Sequence, residues 1–422
     1  MKKSEKLLNG ISLITHTLPH LHSVCISVTF RAGSLYENEQ NSGISHMVEH
    51  MFFRRLSDLS QDELYFEMQK IGDEINGETC ADYVSFNITV VPQYFTKALD
   101  LMLRYFDKFN WTETELSQEK EVVFRQIETS GGSYGKWVNS YYFEDTKYSV
   151  PIMGTKESVA ALSLDEINCW KNEYFTPQNA CVVVTGNITD DDYSLLKSRL
   201  NNIESYGEAK EKIFEFPKNF EKRNSDNNLV VEQTDDELAD VVMLIDINDR
   251  FDYETLYLLT SILGEGCGSK LSMALREKCS FTDEISAYLY YYLGFYRLYF
   301  SYTVRNEAML ESIDTLLKII KEAKSNITEK EYLSSIAFFT DNQLMILDNC
   351  KRLNNEYFID FVLDCSFSTP DEKAEKYSQI TPSDLAKTAN EIFVSKNISF
   401  IIETSLNEDD VRAFVERKIL EL

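Results

Sequence analysis

The alternation of apolar and polar residues predicts strands in the first ninety residues. The segments GISLITHTL (10–18) and SVCISVTFRAG (23–33) are rich in β-branched residues, and DEINGETCADYVSFNITVV (73–91) alternates at Val84 and Phe86. A period of two places successive side chains on opposite faces of a strand. Helical spacing appears between and after these segments, so helices interrupt the runs of strands. This order predicts an α+β fold with antiparallel or mixed sheets.

The same pattern occurs twice along the chain. Residues 98–128 and 312–344 each predict an amphipathic helix, a short capped loop and a second helix. Residues 163–188 and 380–406 each predict a helix that begins at a Ser or Thr and is followed by a strand of β-branched residues. A charged, polar stretch around 205–228 predicts a linker between two similar halves.

Composition and charge narrow the classes of function. The 422 residues include 42 Lys and Arg against 69 Asp and Glu, which gives a formal net charge of −27. A surface this acidic repels phosphate backbones, so we expect no binding of nucleic acid. The aromatic stretch AYLYYYLGFYRLYF (287–300) has only Arg297 as a basic residue, and we interpret it as a strand pair in the core or an interface.

The location of the protein follows from what the sequence lacks. The chain has no run of about 18 apolar residues and no apolar signal-peptide region, so we expect neither a membrane span nor secretion. Its eight cysteines are scattered without a CxxC pair, and most lie in apolar stretches, as Cys181 does. This usage is typical of buried free thiols in a reducing compartment, and we expect a cytoplasmic protein.

The segment SGISHMVEHMFF (42–53) contains the candidate chemistry. Its apolar spacing after Gly43 predicts a helix, on which His46 and His50 lie one turn apart on the same face. Two imidazoles at this spacing can hold one Zn²⁺. Glu49 projects beside them, where it can take a proton from a water on the metal. Because the chain has only five histidines, this HxxEH order is a specific signal.

A third protein ligand is needed, and no histidine follows residue 50. A carboxylate must therefore supply it. The stretch EVVFRQIE (121–128) offers Glu121 and Glu128, which lie seven residues apart and so on one face of a helix. Both carboxylates are candidates at this point.

The second copy of the repeat lacks this set of ligands. Aligning Thr112 with Thr328 places Ala337 and Leu344 opposite the two glutamates, and the second half has no histidine. We therefore predict a zinc-binding catalytic domain over residues 1–210 and a homologous domain without zinc over residues 225–422.

The chain resembles the pitrilysin-type zinc peptidases (inverzincins), the family that includes mitochondrial processing peptidase and insulin-degrading enzyme. The resemblance extends over nearly the whole chain, and its organisation is that of the short bacterial members with two homologous domains. The segments that show it are NGISLITHTLP (9–19), AGSLYENEQNSGISHMVEHMFF (32–53), INGETCADYVSFNITV (75–90), EKEVVFRQIE (119–128), PIMGT (151–155), YFTPQNACVVVTGNI (174–188) and LGEGCGSKLSMALREK (263–278).

The resemblance implies a role for each candidate residue of the first half. His46, His50 and Glu128 would bind one Zn²⁺. Glu49 would act as the general base, and Glu121 would be a supporting carboxylate.

The resemblance also implies how substrate binds. Asn76 and Gly77, in the NGET stretch, would lie on an edge strand that holds a peptide by strand addition. The implied fold is two copies of an α+β roll, which pair with two more from a second chain as a clamshell around a chamber. Such a chamber would admit unfolded peptides and exclude folded proteins.

One departure from the family concerns the second half. The family has an Arg and, seven residues later, a Tyr, which stabilise the substrate carbonyl as negative charge develops. Arg276 is present here, but position 283 is Asp, and tyrosines begin only at Tyr288. In two-chain members this pair comes from the partner chain. We therefore expect this chain to be the zinc-bearing subunit of a heterodimer with a homologous chain, with a homodimer as the alternative.

The function that follows is a zinc endopeptidase acting on unstructured peptides, such as leader or targeting segments. Two alternatives stay open. One is a non-proteolytic structural subunit of a larger complex, against which the presence of Glu49 argues. The other is a module that binds peptides without cutting them.

Overall fold

The protein is described here from a computed structural model, which covers residues 2–129, 147–204, 229–292, 294–363 and 365–422. Its chain forms two compact units. The first consists of Met1–Glu215 and Met345–Thr369, and the second of Phe216–Leu344 and Pro370–Leu422. The linker predicted around 205–228 lies outside the described residues.

A six-stranded sheet forms the centre of the first unit. The strands of this unit are β1 (Lys2–Lys6), β2 (Ser12–Thr17), β3 (Val24–Phe30), β4 (Arg55–Leu56), β5 (Leu59–Ser60), β6 (Asn76–Thr79), β7 (Val84–Val90) and β8 (Ala180–Gly186). The order in the main sheet is β1-β2-β8-β3-β7-β6, and β4 and β5 form a separate two-stranded hairpin. The β2–β8 pair is parallel, and the other pairs are antiparallel. The strand β6 therefore lies at an edge of the sheet.

Helices cover this sheet. They are α1 (Ile44–Arg54), α2 (Gln61–Ile71), α3 (Phe95–Leu103), α4 (Glu113–Thr129), α5 (Lys156–Ala161), α6 (Leu164–Tyr174) and α7 (Asp190–Asn201). Capping boxes start several of them, as at Thr155, Ser163 and Thr189, where the side chain accepts a hydrogen bond from the backbone three residues later.

The helix α1 is anchored in the core by one aromatic side chain. The Phe52 ring is fully buried, and its centroid lies 4.9 Å from that of Tyr105 and 5.2 Å from that of Phe86, both in edge-to-face geometry. Such pairs add to the free energy of burial. Because Phe52 fixes the inner face of α1, the residues on its other faces have a defined position relative to the sheet.

The second unit is built around a five-stranded sheet. Its strands are β9 (Leu229–Gln233), β10 (Leu238–Asn248), β11 (Ser286–Tyr292), β12 (Phe295–Arg305) and β13 (Ile398–Thr404). The order is β11-β12-β10-β13-β9, with β13 and β9 parallel and the other pairs antiparallel. The remaining helices are α8 (Tyr253–Gly264), α9 (Asn306–Ala323), α10 (Glu329–Ile346), α11 (Cys350–Val362), α12 (Pro370–Gln379), α13 (Pro382–Ile392) and α14 (Glu408–Leu420).

The two sheets have the same topology. Starting from the parallel pair, the first has the order β2-β8-β3-β7-β6 and the second β9-β13-β10-β12-β11. The helices α4 and α10 also begin alike, because Thr112 pairs with Glu115 and Thr328 with Glu331 in reciprocal hydrogen bonds. The predicted α+β class and internal repeat are therefore confirmed. The aromatic stretch 287–300 forms most of the antiparallel pair β11–β12, as expected.

The helix α11 belongs to the first unit, although its sequence lies in the second half. It packs on β8 and β3. The Asn354 amide donates hydrogen bonds to the backbone carbonyls of Cys25 and Val183, and the Thr185 hydroxyl donates to the carbonyl of Cys350. A continuous second domain over 225–422, as the sequence suggested, does not describe this arrangement. The apolar face of α11 packs on the sheet of the first unit. The sequence of the helix alone does not indicate which sheet it covers.

Two further expectations concern the burial of the cysteines and the absence of a membrane-spanning helix. All eight cysteines lie in the described residues, and none forms a disulfide. Burial is observed for Cys25, Cys181 and Cys350, whereas four others are exposed, so the expectation that most thiols are buried is wrong. Among the helices of the described ranges, none combines the length and apolar character needed to cross a bilayer.

A buried ion pair joins two central strands of the second unit. Asp246 on β10 lies directly opposite Arg297 on β12, and the guanidinium donates to both carboxylate oxygens at 2.8 and 3.0 Å. The Arg297 side chain is only 2% exposed. Each charge therefore depends on the other for its solvation.

Replacing Asp246 by Ala should leave this guanidinium buried without its counter-charge. We expect the free energy of unfolding to fall by about 3–5 kcal/mol, measured by urea denaturation. A matched control is Lys318→Ala, which removes the exposed partner of Asp314 and should cost no more than about 1 kcal/mol. Equal losses in the two variants would contradict this ranking.

Candidate metal centre

A buried carboxylate fixes the point at which α1 begins. Gly43 precedes the helix with a φ of 89°, a left-handed conformation that glycine adopts without steric cost. The Glu37 carboxylate accepts hydrogen bonds from the backbone N–H groups of Gly43 and Ser45 at 2.7 and 2.9 Å. These N–H groups have no partner within the helix, and negative charge is favourable there. The first turn of α1, which includes His46, is thereby held in place.

The two histidines lie together on α1, as predicted. Their ring centroids are 4.5 Å apart. With Glu49 they form a group in which one ligand atom from each residue lies within 4.8 Å of the others. Burial, and then the neighbouring His50, lower the pKa of His46 to about 3. The imidazole is therefore neutral near pH 7, which is the form that binds a metal.

The second histidine is oriented from α4. Glu119 accepts a hydrogen bond from Nδ1 of His50 at 2.7 Å and a further one from Nε of Arg54. Burial raises the pKa of the Glu119 carboxyl, but the hydrogen bonds from His50 and Arg54 outweigh burial and hold the pKa below its ordinary value. An ionised carboxylate on Nδ1–H leaves the Nε2 lone pair available to a metal.

The candidate general base lies under the edge strand β6. The Thr79 hydroxyl donates a hydrogen bond to Oε2 of Glu49 at 2.9 Å. Burial raises the pKa of Glu49, with only partial opposition from His50 and Thr79. Asn76 and Gly77 lie at the start of β6, and a Cβ on Gly77 would approach Oε1 of Glu49 to 2.4 Å. Glycine at this position therefore keeps the space that the carboxylate occupies.

The structure does not bring Glu121 or Glu128 to the histidines. Both side chains are exposed on α4, and the Glu128 carboxylate forms an ion pair with Lys156 at 2.5 Å. The buried face of α4 instead contains Leu116 and Val123. Glu121 follows the buried position 119 by two residues, which is a rotation of about 200° around the helix axis. Its side chain therefore lies almost opposite the buried face of α4. The assignments of Glu128 as a ligand and Glu121 as its support are corrected accordingly.

The supporting carboxylate that sequence reasoning missed is Glu119. It is 6% exposed and lies three residues after Leu116 and four before Val123, on the buried face. The next position of that face is Gln126, seven residues after Glu119. Glu119 and Gln126 are seven residues apart, as are Glu121 and Glu128. The spacing of the apolar residues along α4 distinguishes the two pairs, because it shows which pair lies on the buried face.

Arg276 belongs to the second unit. It lies on a π-helical segment (Ser272–Lys278), 47% exposed, with its guanidinium 3.5 Å from the Glu277 carboxylate. Asp283 is exposed in the connection that leads to the edge strand β11. Tyr288 on that strand is 52% exposed. The role expected for Arg276 stays a prediction.

The residues around the histidines fit a zinc ion. Neutral imidazoles are preferred zinc ligands, and one of them is oriented by a carboxylate. Two further polar atoms, Nδ1 of His46 and Oε1 of Gln126, are buried without a hydrogen-bond partner. Orphaned buried polar atoms are uncommon and often mark the place of an ion or water. In the part of the chain that the structure describes, this is the one group of three His, Cys, Asp or Glu side chains able to share a metal.

Comparison with known proteins identifies the family. The family model described as insulinase (peptidase family M16) matches residues 13–156. The model described as the peptidase M16 inactive domain matches residues 161–337. The chain therefore belongs to peptidase family M16, which confirms the resemblance inferred from the sequence.

Two relatives match over nearly the whole chain, and a third matches over about a third of it. It is 25% identical to an uncharacterized zinc protease of Rickettsia felis, over 97% of this chain and 98% of that protein. It is 25% identical to the zinc protease PqqE of Helicobacter pylori, over 93% and 90%. The beta subunit of the mitochondrial-processing peptidase of Saccharomyces cerevisiae is 25% identical over 36% of this chain and 32% of its own length.

Solved structures share the fold. A protease from Helicobacter pylori superposes with a TM-score of 0.83 at 20% identity, over 96% of this chain and 99% of the other. The first half of the periplasmic protease PqqL from Escherichia coli gives a TM-score of 0.81 at 12% identity, over 99% and 96%. The match to the longer PqqL structure covers 99% of this chain and 50% of that one.

Replacing Glu119 by Gln should weaken zinc binding because it removes the charge that orients His50. We expect a loss of about 10–100-fold in affinity, the usual effect of losing such a partner, measured by competition with a chelating dye. The exposed Glu121 on the same helix provides the control, and Glu121→Gln should leave the affinity unchanged. The opposite result, with only the Glu121 variant weakened, would restore the assignment made from the sequence.

Proposed function

We propose that this protein is a zinc-dependent endopeptidase that cleaves unstructured peptides, with His46 and His50 as metal ligands and Glu49 as general base. The observation that supports it most is the group formed by these three side chains within 4.8 Å of one another. A carboxylate beside two metal-binding imidazoles, in HxxEH order on a helix, is suited to metal-assisted hydrolysis.

The chain's own residues would handle the proton and the geometry. Zinc, when bound, would supply the Lewis acidity that activates a water and polarises the scissile carbonyl. Glu49 would accept the proton of the attacking water and pass it to the leaving amine. Burial raises the pKa of Glu49, which makes it a stronger base near neutral pH. The hydrogen bond from Thr79 fixes the direction of its carboxylate.

The edge strand β6 would bind the substrate. It lies at the end of the sheet, beside α1, so one side of its backbone has no neighbouring strand among the described residues. An extended peptide can add there through main-chain hydrogen bonds, which tolerate many sequences. Asn76 and Gly77 would contact it directly above Glu49. Leader or targeting segments, which are unstructured, are suitable substrates for this mode.

We further propose a partner chain. The chain would be the zinc-bearing subunit of a heterodimer, with a homologous chain supplying the Arg–Tyr pair, and a homodimer is the alternative. Asp283 in place of the tyrosine expected after Arg276 supports the need for a partner. The twofold length of PqqL and the subunit name of the mitochondrial relative also support it. The absence of disulfides among the eight described cysteines supports a reducing compartment such as the cytoplasm.

A non-proteolytic subunit is the second candidate function. It is favoured by the exposure of Glu128, which leaves the histidine pair without the carboxylate ligand expected from the sequence. A relative in Saccharomyces cerevisiae, 27% identical over 47% of this chain, is named as cytochrome b-c1 complex subunit 1.

The test is cleavage of a mixed set of unstructured peptides by the zinc-loaded chain. Glu49→Gln should reduce the rate at least about 100-fold, because the general base is lost, while zinc binding is retained. Glu121→Gln, on the exposed face of α4, is the matched control and should cleave at the unchanged rate.

Two outcomes would oppose the proposal. Cleavage by the Glu49 variant at the full rate would exclude Glu49 as the base. Zinc binding without cleavage by both the unchanged chain and the Glu121→Gln control, also after a homologous chain is added, would favour the non-proteolytic subunit.

A further inference from the structure

An amide oxygen on α4 is buried without a hydrogen-bond partner. Oε1 of Gln126 accepts no hydrogen bond, although it is inaccessible to solvent. Leaving such an acceptor unsatisfied costs free energy, typically about 1–3 kcal/mol. The buried Nδ1 of His46 is also without a partner. The two orphaned atoms lie on two helices that pack against each other.

The register between α1 and α4 places Gln126 near His46. Arg55 pairs with Glu115, and His50 pairs with Glu119, so the two helices run antiparallel. Seven residues beyond Glu119 correspond to about 10.5 Å along α4. Glu119 contacts both His50 and Arg54, so it lies opposite the stretch between them, and the same distance back along α1 from the middle of that stretch reaches the first turn, where His46 lies.

Gln126 lies on the face of α4 that is turned toward α1. Glu119, Val123 and Gln126 are related by steps of four and three residues, which keep side chains on one side of a helix. Glu119 reaches His50, and Val123 is fully buried. Gln126 therefore projects toward α1, whereas Glu128 projects to solvent and Lys156.

We propose that Oε1 of Gln126 is the third protein donor to the metal, so that the ligands are two imidazoles and one neutral amide. This inference rests on the proposed zinc site. Zinc accepts oxygen ligands as well as nitrogen, and an amide oxygen bears no net charge. A carboxylate at the same position would attract the cation more strongly. The site is therefore built to hold zinc less tightly than a site with a glutamate at position 126.

The experiment compares the zinc dissociation constants of four full-length proteins by competition with a chelating dye. They are the unchanged chain, Gln126→Glu, Gln126→Leu and Glu128→Gln. We expect Gln126→Glu to tighten zinc at least about tenfold and Gln126→Leu to weaken it at least about tenfold, the lower limit seen for groups that support a metal site. Glu128→Gln should match the unchanged chain.

A second readout is independent of catalysis. The zinc-induced rise in melting temperature should follow the same order, largest for Gln126→Glu and smallest for Gln126→Leu. The melting temperature without zinc controls for misfolding, and the nearly isosteric Gln126→Glu keeps the test valid if Gln126→Leu is unstable.

Several results would overturn the inference. They are equal affinities for the unchanged chain and Gln126→Leu, no gain in Gln126→Glu, a loss in Glu128→Gln, or zinc binding only in Gln126→Glu. Failure of the proposed peptidase activity is a separate result, because these affinities are measured without substrate. A chain that binds zinc in the expected order but cleaves nothing would contradict the proposed function and leave the donor assignment intact.

Discussion

The candidate metal centre depends on one buried carboxylate between two helices. Glu119 on α4 accepts hydrogen bonds from Arg54 and His50 on α1, so a single charge joins the helices and orients the imidazole that we propose as a metal ligand. Burial alone would favour the protonated acid, but the two donors hold the pKa of Glu119 below its ordinary value. Because this contact fixes the position of α4 along the axis of α1, it also determines which residue of α4 lies near His46.

Comparing the two units shows which residues the fold needs and which belong only to the candidate metal site. Both units have the same strand order and the same capped second helix. With Thr112 aligned to Thr328, the positions of Glu119 and Gln126 correspond to Ser335 and Asn342, and the second half has no histidine. The sheet and its helices thus form equally well without the site. The side chains of the proposed metal site all lie on two helices of the first unit.

Local sequence determined the elements and the histidine pair, whereas contacts between distant elements determined the rest. Strand alternation and the HxxEH spacing act within one element, so both could be predicted. A seven-residue spacing alone could not choose between Glu119 with Gln126 and Glu121 with Glu128, because the choice depends on which face α1 covers. The placement of α11 on the first sheet is likewise a long-range contact, which no segment of that helix encodes by itself.

Anomalous diffraction at the zinc edge, from crystals of the zinc-loaded chain, would show whether α1 and α4 together form a zinc site. We expect one anomalous peak within about 2.0–2.2 Å of a nitrogen of His46, a nitrogen of His50 and Oε1 of Gln126. A peak bound by Glu128, or a peak at the histidines with Gln126 turned away, would contradict the donor set. A zinc-loaded crystal with no peak at α1 would contradict the metal centre itself.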